Sequence, residues 1–472
     1  MRDGARPLRI AIVGAGPAGI YTANALIESG TDVSIDLFER LPAPFGLIRY
    51  GVAPDHPRVK GIVTALHKVL DKPQVRLLGN VDYGADLDLT TLRRFYDAAV
   101  FTTGADTDRA LPLPGIDLDG SHGASEFVAW YDGHPDAPRT WPLDAEKVAV
   151  LGVGNVAIDV ARILAKTGDE LLTTEIPANV YDCLRRSRVR EVHVFGRRGP
   201  AQAKFTPLEL RELDDSPSFE VVVAAEDMTF DRASQEARQE SKQLDMVAAT
   251  LESWSERPVG GHRRKVFLHF FESPVEILGE DGRVVGLRTE RTSPDGPGNV
   301  VASDQLTDWP VQAVYRAVGY RSRSLPGLPF DPRRGTVPNL AGRVQTLDGT
   351  TMTGVYATGW IKRGPVGLIG HTKGDANETV ENLLLDSPGF QAAEEPSEDA
   401  VLAHLNRDRV QYTTWDGWYR LDAHERGLGA AEGRERIKVV ERDRMVAIGR
   451  VSEADQRAAH QPPSTRKVGY AQ

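Results

Sequence analysis

Gly14, Gly16 and Gly19 stand in a G-x-G-x-x-G spacing (GAGPAG), and Glu39 follows about 20 residues later. Glycines at those places permit a tight turn, close approach of backbone to a pyrophosphate, and close packing of helix on strand. An acid at the Glu39 position accepts hydrogen bonds from the two hydroxyls of an adenosine ribose. A second cluster, Gly152-Val153-Gly154-Asn155-Val156-Ala157, repeats the pattern with alanine as the third small residue, which the fingerprint tolerates. The strand after it ends not in an acid but in Gly196-Arg197-Arg198-Gly199. Two guanidiniums there suit a ribose 2′-phosphate, which an acid would repel, so this nucleotide is expected to be NADP(H) rather than NAD(H).

The flanking elements are those such clusters need. Ile10 to Val13 is a continuous apolar run, as in a parallel strand buried on both faces. Pro17 falls at a first helical position, Tyr21 to Ser29 reads as helix, and Gly30 stops it. Val33 to Phe38 is the next strand, followed by a long Pro/Gly-studded connection, Arg40 to His56; long ordered loops are usually functional. A helix is expected over Pro57 to Leu70, strands over Val75 to Leu78, Val81 to Tyr83 and Ala98 to Thr103, and a domain crossing over Ala110 to Leu118. Lys147 to Leu151 is a strand feeding a second helix, and Val192 to Phe195 a further strand. Phe205 to Leu213 reads as turn and helix, Arg232 to Glu256 as one amphipathic helix, and Val266 to Arg291 as a hairpin turning at Asp281-Gly282. Ala313 to Val318 and Val355 to Gly359 complete the strands. The fold class is therefore α/β, with two dinucleotide-binding, Rossmann-like domains. Residues 1–108 and 320–390 are expected to form the first, discontinuous dinucleotide domain, 109–319 an inserted NADP domain, and 391–472 a charged C-terminal extension with a mobile tail.

Composition narrows the chemistry. The 472-residue chain carries a formal charge of −10, which argues against general nucleic-acid binding. No apolar run is long enough to span a membrane. The single cysteine, Cys183, excludes an intramolecular disulfide, a CxxC pair and a four-Cys iron–sulfur site, and fits a reducing, cytoplasmic setting. No metal site is readable. Two dinucleotide units without a cysteine pair leave electrons to pass outward or to a small acceptor.

Six motifs in order resemble the adrenodoxin reductase family of ferredoxin–NADP(+) reductases, including its actinobacterial members. They are GAGPAG (14–19), FERLPAPFGLIRYGVAPDHPRVK (38–60), GVGNVAIDVAR (152–162), FGRRGP (195–200), FTPLELREL (205–213) and ATGWIKRGPVGLIG (357–370). The resemblance implies FAD and NADP(H) as cofactors and a ferredoxin as acceptor, which in turn supplies a cytochrome P450 or an iron–sulfur enzyme. It places Ala15, Glu39, Leu47, Val81, Trp360, Gly367, Leu368 and Ile369 against FAD. It places Val153, Gly154, Asn155, Val156, Arg197, Arg198 and Glu209 against NADP(H), with Gly367 touching both. His56 and Asp159 match a pair beside the flavin ring. Carrier-binding basic residues are implied near the FTPLELREL helix, which points to Arg211, then to Arg238 and Lys242.

The residues by themselves leave plainer readings open. His56, between Asp55 and Pro57, reads as a loop-surface histidine, and Asp159 as a carboxylate favoured near a helix N-terminus. Glu209 reads as a solvated helix residue. A flavin monooxygenase or the electron-entry subunit of a larger complex would also carry two such nucleotide units.

Overall fold

A computed structural model describes residues 6–366 and 369–450. The expected tail after Ser452 lies outside these residues.

Apolar runs become the middle of two sheets. In the first sheet, strand Leu8–Val13, buried along its whole length, lies between Val33–Glu39 and Ala98–Phe101, all parallel. Val75–Gly79 and Thr351–Ala357 extend it on either side, also in parallel. Two short antiparallel strands, Asn339–Leu340 and Arg343–Gln345, finish one edge of this seven-stranded sheet. The second sheet has six parallel strands, in the order Ser121–Gly123, Ala313–Arg316, Lys147–Leu151, Glu191–Gly196, Lys265–Phe270, Glu220–Val223. The chain thus leaves one Rossmann-like sheet, builds another, and returns. Where it leaves and returns, Thr107–Asp108 pairs antiparallel with Tyr320–Arg321.

A three-stranded antiparallel sheet, Glu272–Glu280, Arg283–Pro294 and Val300–Trp309, follows the fifth strand of the inserted unit. The expected hairpin from Val266 is therefore shorter. Lys265–Phe270 stays parallel in the main sheet, and the chain changes direction at Phe271, whose φ is 59°. Val81 to Tyr83 is no strand, because the Asp82 carbonyl takes the Ala85 and Asp86 amides in a turn. The Pro57–Leu70 segment divides into helices Pro57–Lys60 and Val63–Leu70. Arg232 to Glu256 divides likewise at Ser241, whose hydroxyl accepts the Leu244 amide and starts a new helix, Lys242–Ser255.

The C-terminal residues are built into the body. Val401 and Leu405 of helix Glu398–Arg407 join the core containing Leu92 and Phe95. Trp418, Leu421, Val439 and Met445 join the core containing Leu66 and Ile48. No helix among the described residues is long and apolar enough to cross a membrane.

Candidate active site

Seven helix starts among the described residues are closed by a side chain. Asp88, Thr167, Thr206, Asp231, Ser241, Ser397 and Thr414 each accept a backbone amide. Helices Pro17–Glu28 and Asn155–Ala165 instead begin at Gly16 and Gly154, with no side-chain cap. Their first amides are left for an anion, the arrangement that receives a dinucleotide pyrophosphate. Space is reserved there too. A Cβ on Gly154 would meet nothing within 4 Å, and one on Gly16 only the Gly46 Cα at 3.8 Å. Gly14 and Gly152 hold positive φ, 111° and 130°, and their faces press on Thr102 and Ala317.

On the flavin side, the Glu39 carboxylate accepts the Ala15 amide at 2.9 Å and the Leu41 amide at 3.0 Å. It thereby joins the glycine loop to the strand end that must face the ribose. Val81 is buried beside it, its amide donating to the Glu39 carbonyl at 2.9 Å. Leu47 opens a short helix after Gly46, and Phe45 donates to the Ala15 carbonyl at 2.8 Å. Trp360 follows Gly359 at φ 74° and stacks with Tyr320 at 6.4 Å between centroids. Asp375, which the sequence did not flag, holds this corner through the Gly359 amide and Lys362. Gly367 and Leu368 lie outside the described residues, and Ile369 begins helix Ile369–Asp386. The described ones, the glycine loop with Glu39, Leu47, Val81 and Trp360, fit the chemistry of FAD.

On the nucleotide side, Val153, Gly154, Asn155 and Val156 form the turn and first helical residues, and Asn155 Oδ1 accepts the Thr206 amide at 3.2 Å. Arg197 is exposed and Arg198 half-buried at the following strand end. The donor set fits a 2′-phosphorylated dinucleotide.

His56 is not a loop-surface residue. It is only 3 % exposed, at the junction between the flavin-side loop and two helices of the inserted unit. Helix Asn155–Ala165 presents Asp159 and Arg162, and helix Pro207–Asp214 presents Glu209 and Glu212; each pair is three apart and so shares a face. His56 Nε2 lies 2.7 Å from Asp159 Oδ1 and 3.2 Å from Glu209 Oε2. His56 Nδ1 lies 2.5 Å from Glu212 Oε2, out of line for a hydrogen bond. Arg162 Nη2 bonds Asp159 Oδ1 at 2.8 Å and lies 2.8 Å from His56 Nε2, and Asp55 grips the same guanidinium edge, with Nε–Oδ2 at 2.8 Å and Nη2–Oδ1 at 2.9 Å. Lys166 also reaches Asp55, at 2.9 Å.

Burial works against charge on His56, but its hydrogen bonding to the Asp159 and Glu209 carboxylates, which accept, outweighs it and raises its pKa to about 10. Burial pushes Glu212 upward, partly offset by His56 and Arg162. Burial would raise Asp55, yet Arg162 and Lys166 bring it well below the usual carboxylate range. The result is a cationic imidazole held among carboxylates, with the Arg162 guanidinium 2.8 Å away opposing its charge, in a cluster to which both nucleotide units supply side chains.

Residues 8–198 match the family described as pyridine nucleotide-disulphide oxidoreductases. NADPH-ferredoxin reductase FprA of Mycobacterium tuberculosis is 39% identical over 461 residues, covering 94% of this chain and 99% of that protein. The mitochondrial NADPH:adrenodoxin oxidoreductase of Bos taurus is 35% identical, covering 93% and 92%. The structure of M. tuberculosis FprA in complex with NADPH superposes with a TM-score of 0.87 at 38% identity, over 94% of this chain and all of that one.

The chain belongs to the NADPH–ferredoxin and adrenodoxin reductase family. Within this reductase the expected pair, His56 and Asp159, is brought together, and Glu209 joins it as a buried residue rather than a solvated one. Asp55, Arg162 and Glu212 went unread. Each had a signal, since all three lie inside the family motifs, beside or one helical turn from a flagged residue.

Proposed function

We propose that this reductase takes a hydride from NADPH and passes the electrons through FAD to a ferredoxin-type iron–sulfur carrier. The observation that carries the reading is the end-to-end likeness to NADPH–ferredoxin reductases, combined with a buried cluster to which both nucleotide units contribute. When bound, FAD supplies the conversion of a two-electron donor into a one-electron source. The residues of this chain prepare the place. Gly14, Gly16, Gly19 and Glu39 hold the flavin dinucleotide, while Leu47, Val81, Trp360, Gly367, Leu368 and Ile369 line its path. Val153, Gly154, Asn155, Val156 and Glu209 hold the NADPH dinucleotide, with Arg197 and Arg198 on its 2′-phosphate. His56 keeps a proton at Nε2 against Asp159 and so offers a fixed positive charge where negative charge accumulates. The domain division proposed is 1–108 with 320–390 for FAD, 109–319 for NADP(H), and 391–472 as the C-terminal part. The enzyme works in the cytoplasm, and its carrier serves a cytochrome P450 or an iron–sulfur enzyme.

The carrier is taken to be acidic and to dock near the Pro207–Asp214 helix. Arg211 is exposed there and Lys242 stands exposed farther along. Arg238 is a poor candidate, because Glu252 takes it at 2.7 and 3.1 Å and Asp245 at 3.1 Å. Arg211→Glu should cut ferredoxin-dependent cytochrome c reduction several-fold and flatten its salt dependence, leaving ferricyanide reduction unchanged. A parallel fall in both activities would remove Arg211 from the docking face. The wider reading is tested by anaerobic single turnover. NADPH should reduce added ferredoxin without oxygen; a strict oxygen requirement would favour a monooxygenase instead.

A further inference from the structure

The turn that carries Arg197 and Arg198 is braced by the antiparallel sheet. Thr292 Oγ1 donates to the Arg197 carbonyl at 2.8 Å. The Phe271 amide donates to the Arg198 carbonyl at 3.2 Å, and the Thr292 amide to the Phe271 carbonyl at 2.8 Å. The Phe271 ring packs on Gly199 so closely that a Cβ there would lie 2.4 Å from it. Past Thr292 the strand reaches its tip, residues 295–299, closed by backbone bonds from Asp295 to Asn299 and from Asn299 to Gly296. At this tip the Gly298 carbonyl accepts Arg198 Nη1 at 3.5 Å.

We infer that Thr292 is a positioning residue for recognition of the nucleotide 2′-phosphate, and that the braced hairpin helps set the choice of NADPH over NADH. The inference rests on the reading of Arg197 and Arg198 as 2′-phosphate ligands. Consecutive residues send their side chains in different directions, so two guanidiniums converge on one phosphate only where the turn between them is fixed. Thr292 and Phe271 fix the two carbonyls of that turn. The Gly298 carbonyl orients Arg198 through a single N–H and leaves the other donors of its fork for phosphate. Being neutral, it orients the guanidinium without cancelling its charge, as a carboxylate would. Thr292 itself is buried and has no route to the ligand except through this backbone.

The test is calorimetric binding of 2′,5′-ADP and of 5′-AMP to the flavin-loaded protein, together with KM for NADPH and NADH. Thr292→Val keeps the shape and removes the hydroxyl. It should weaken 2′,5′-ADP roughly fivefold and raise KM for NADPH alike, with 5′-AMP and NADH unmoved. Thr292→Ser, which restores the donor, should bind as the natural protein does. Equal weakening of both nucleotides, or no change in 2′,5′-ADP, would overturn the inference. Arg198→Ala serves as control. If that variant binds 2′,5′-ADP normally, the 2′-phosphate assignment itself falls and the role of Thr292 falls with it.

Discussion

His56 shows how one side chain can serve two nucleotide units. Its loop belongs to the flavin side, yet every carboxylate around its imidazole comes from the inserted unit. Protonated, it ties the two together; its pKa of about 10 lies above the unfolded value near 6.5. A raised pKa means the contribution to stability is full below about pH 6.5 and is lost as pH rises through about 10. His56→Gln should therefore lower the melting temperature most at pH 6 and least at pH 10, with a difference on the order of 4 kcal/mol between those limits. A constant gap across that range would mean that His56 is not protonated in the folded protein. The pairing with Asp159 was legible through the family motifs, but the burial and the charge were not. Asp55-His56-Pro57 has the local chemistry of an exposed turn, and only contacts to Asp159, Glu209 and Glu212, more than a hundred residues away, make it a buried cation.

At the scale of elements, the legible parts were those whose physics is local. Strands buried on both faces write themselves as apolar runs, as Leu8–Val13 and Lys147–Leu151 do. Val300–Trp309 does not, because most of its residues face solvent and its sequence VVASDQLTDW alternates only weakly. Edge strands Ser121–Gly123 and Glu220–Val223 were missed for want of length. The uncapped glycine starts of Pro17–Glu28 and Asn155–Ala165 were legible as motifs, and the structure adds why they stay open. Glu39 belongs to this scale, since its carboxylate links strand end to glycine loop. Glu39→Ala should lose flavin on dialysis against dilute chaotrope, while NADP⁺ affinity after reconstitution stays within about twofold, because the sites lie on separate units. Glu39→Gln, which keeps an acceptor oxygen, should fall between. Full flavin retention in Glu39→Ala would remove it from the ribose.

For the whole molecule, the C-terminal part is the least expected feature. It reads in the sequence as a charged extension with no chemistry of its own, but in the fold several of its charges neutralise partners from both nucleotide units. Lys438 is buried and bonds Glu175 at 2.7 Å, the Arg49 carbonyl at 2.7 Å and the Asp132 carbonyl at 3.1 Å. Glu425, fully buried, takes Arg49 at 3.0 Å, and Arg436 takes Asp422 at 2.8 Å. Arg434 donates to the Thr174 carbonyl at 3.1 Å, and Arg442 to the Arg40 carbonyl and Asn80 Oδ1 at 2.9 Å each. The segment thus sews Asp132 and Glu175 of the inserted unit to Arg49 of the flavin-side loop, the loop that ends at His56. Periodicity cannot reveal this, because a buried ion pair and a solvated one look alike in a sequence. Removing one member of such a network leaves the others charged without their counter-ion, which costs about 3 kcal/mol or more. Burial already lifts Asp132 to about 6, with Lys60 and Lys438 opposing the lift, so losing Lys438 should raise it further. Lys438→Met should lower the melting temperature by several degrees and slow flavin reduction by NADPH in stopped flow, with flavin content retained. Adding Glu175→Gln should recover part of the lost stability, because the two substitutions share one interaction. If Lys438→Met melts normally, or if the double variant loses the plain sum of the singles, the seam does not hold the two nucleotide units in register.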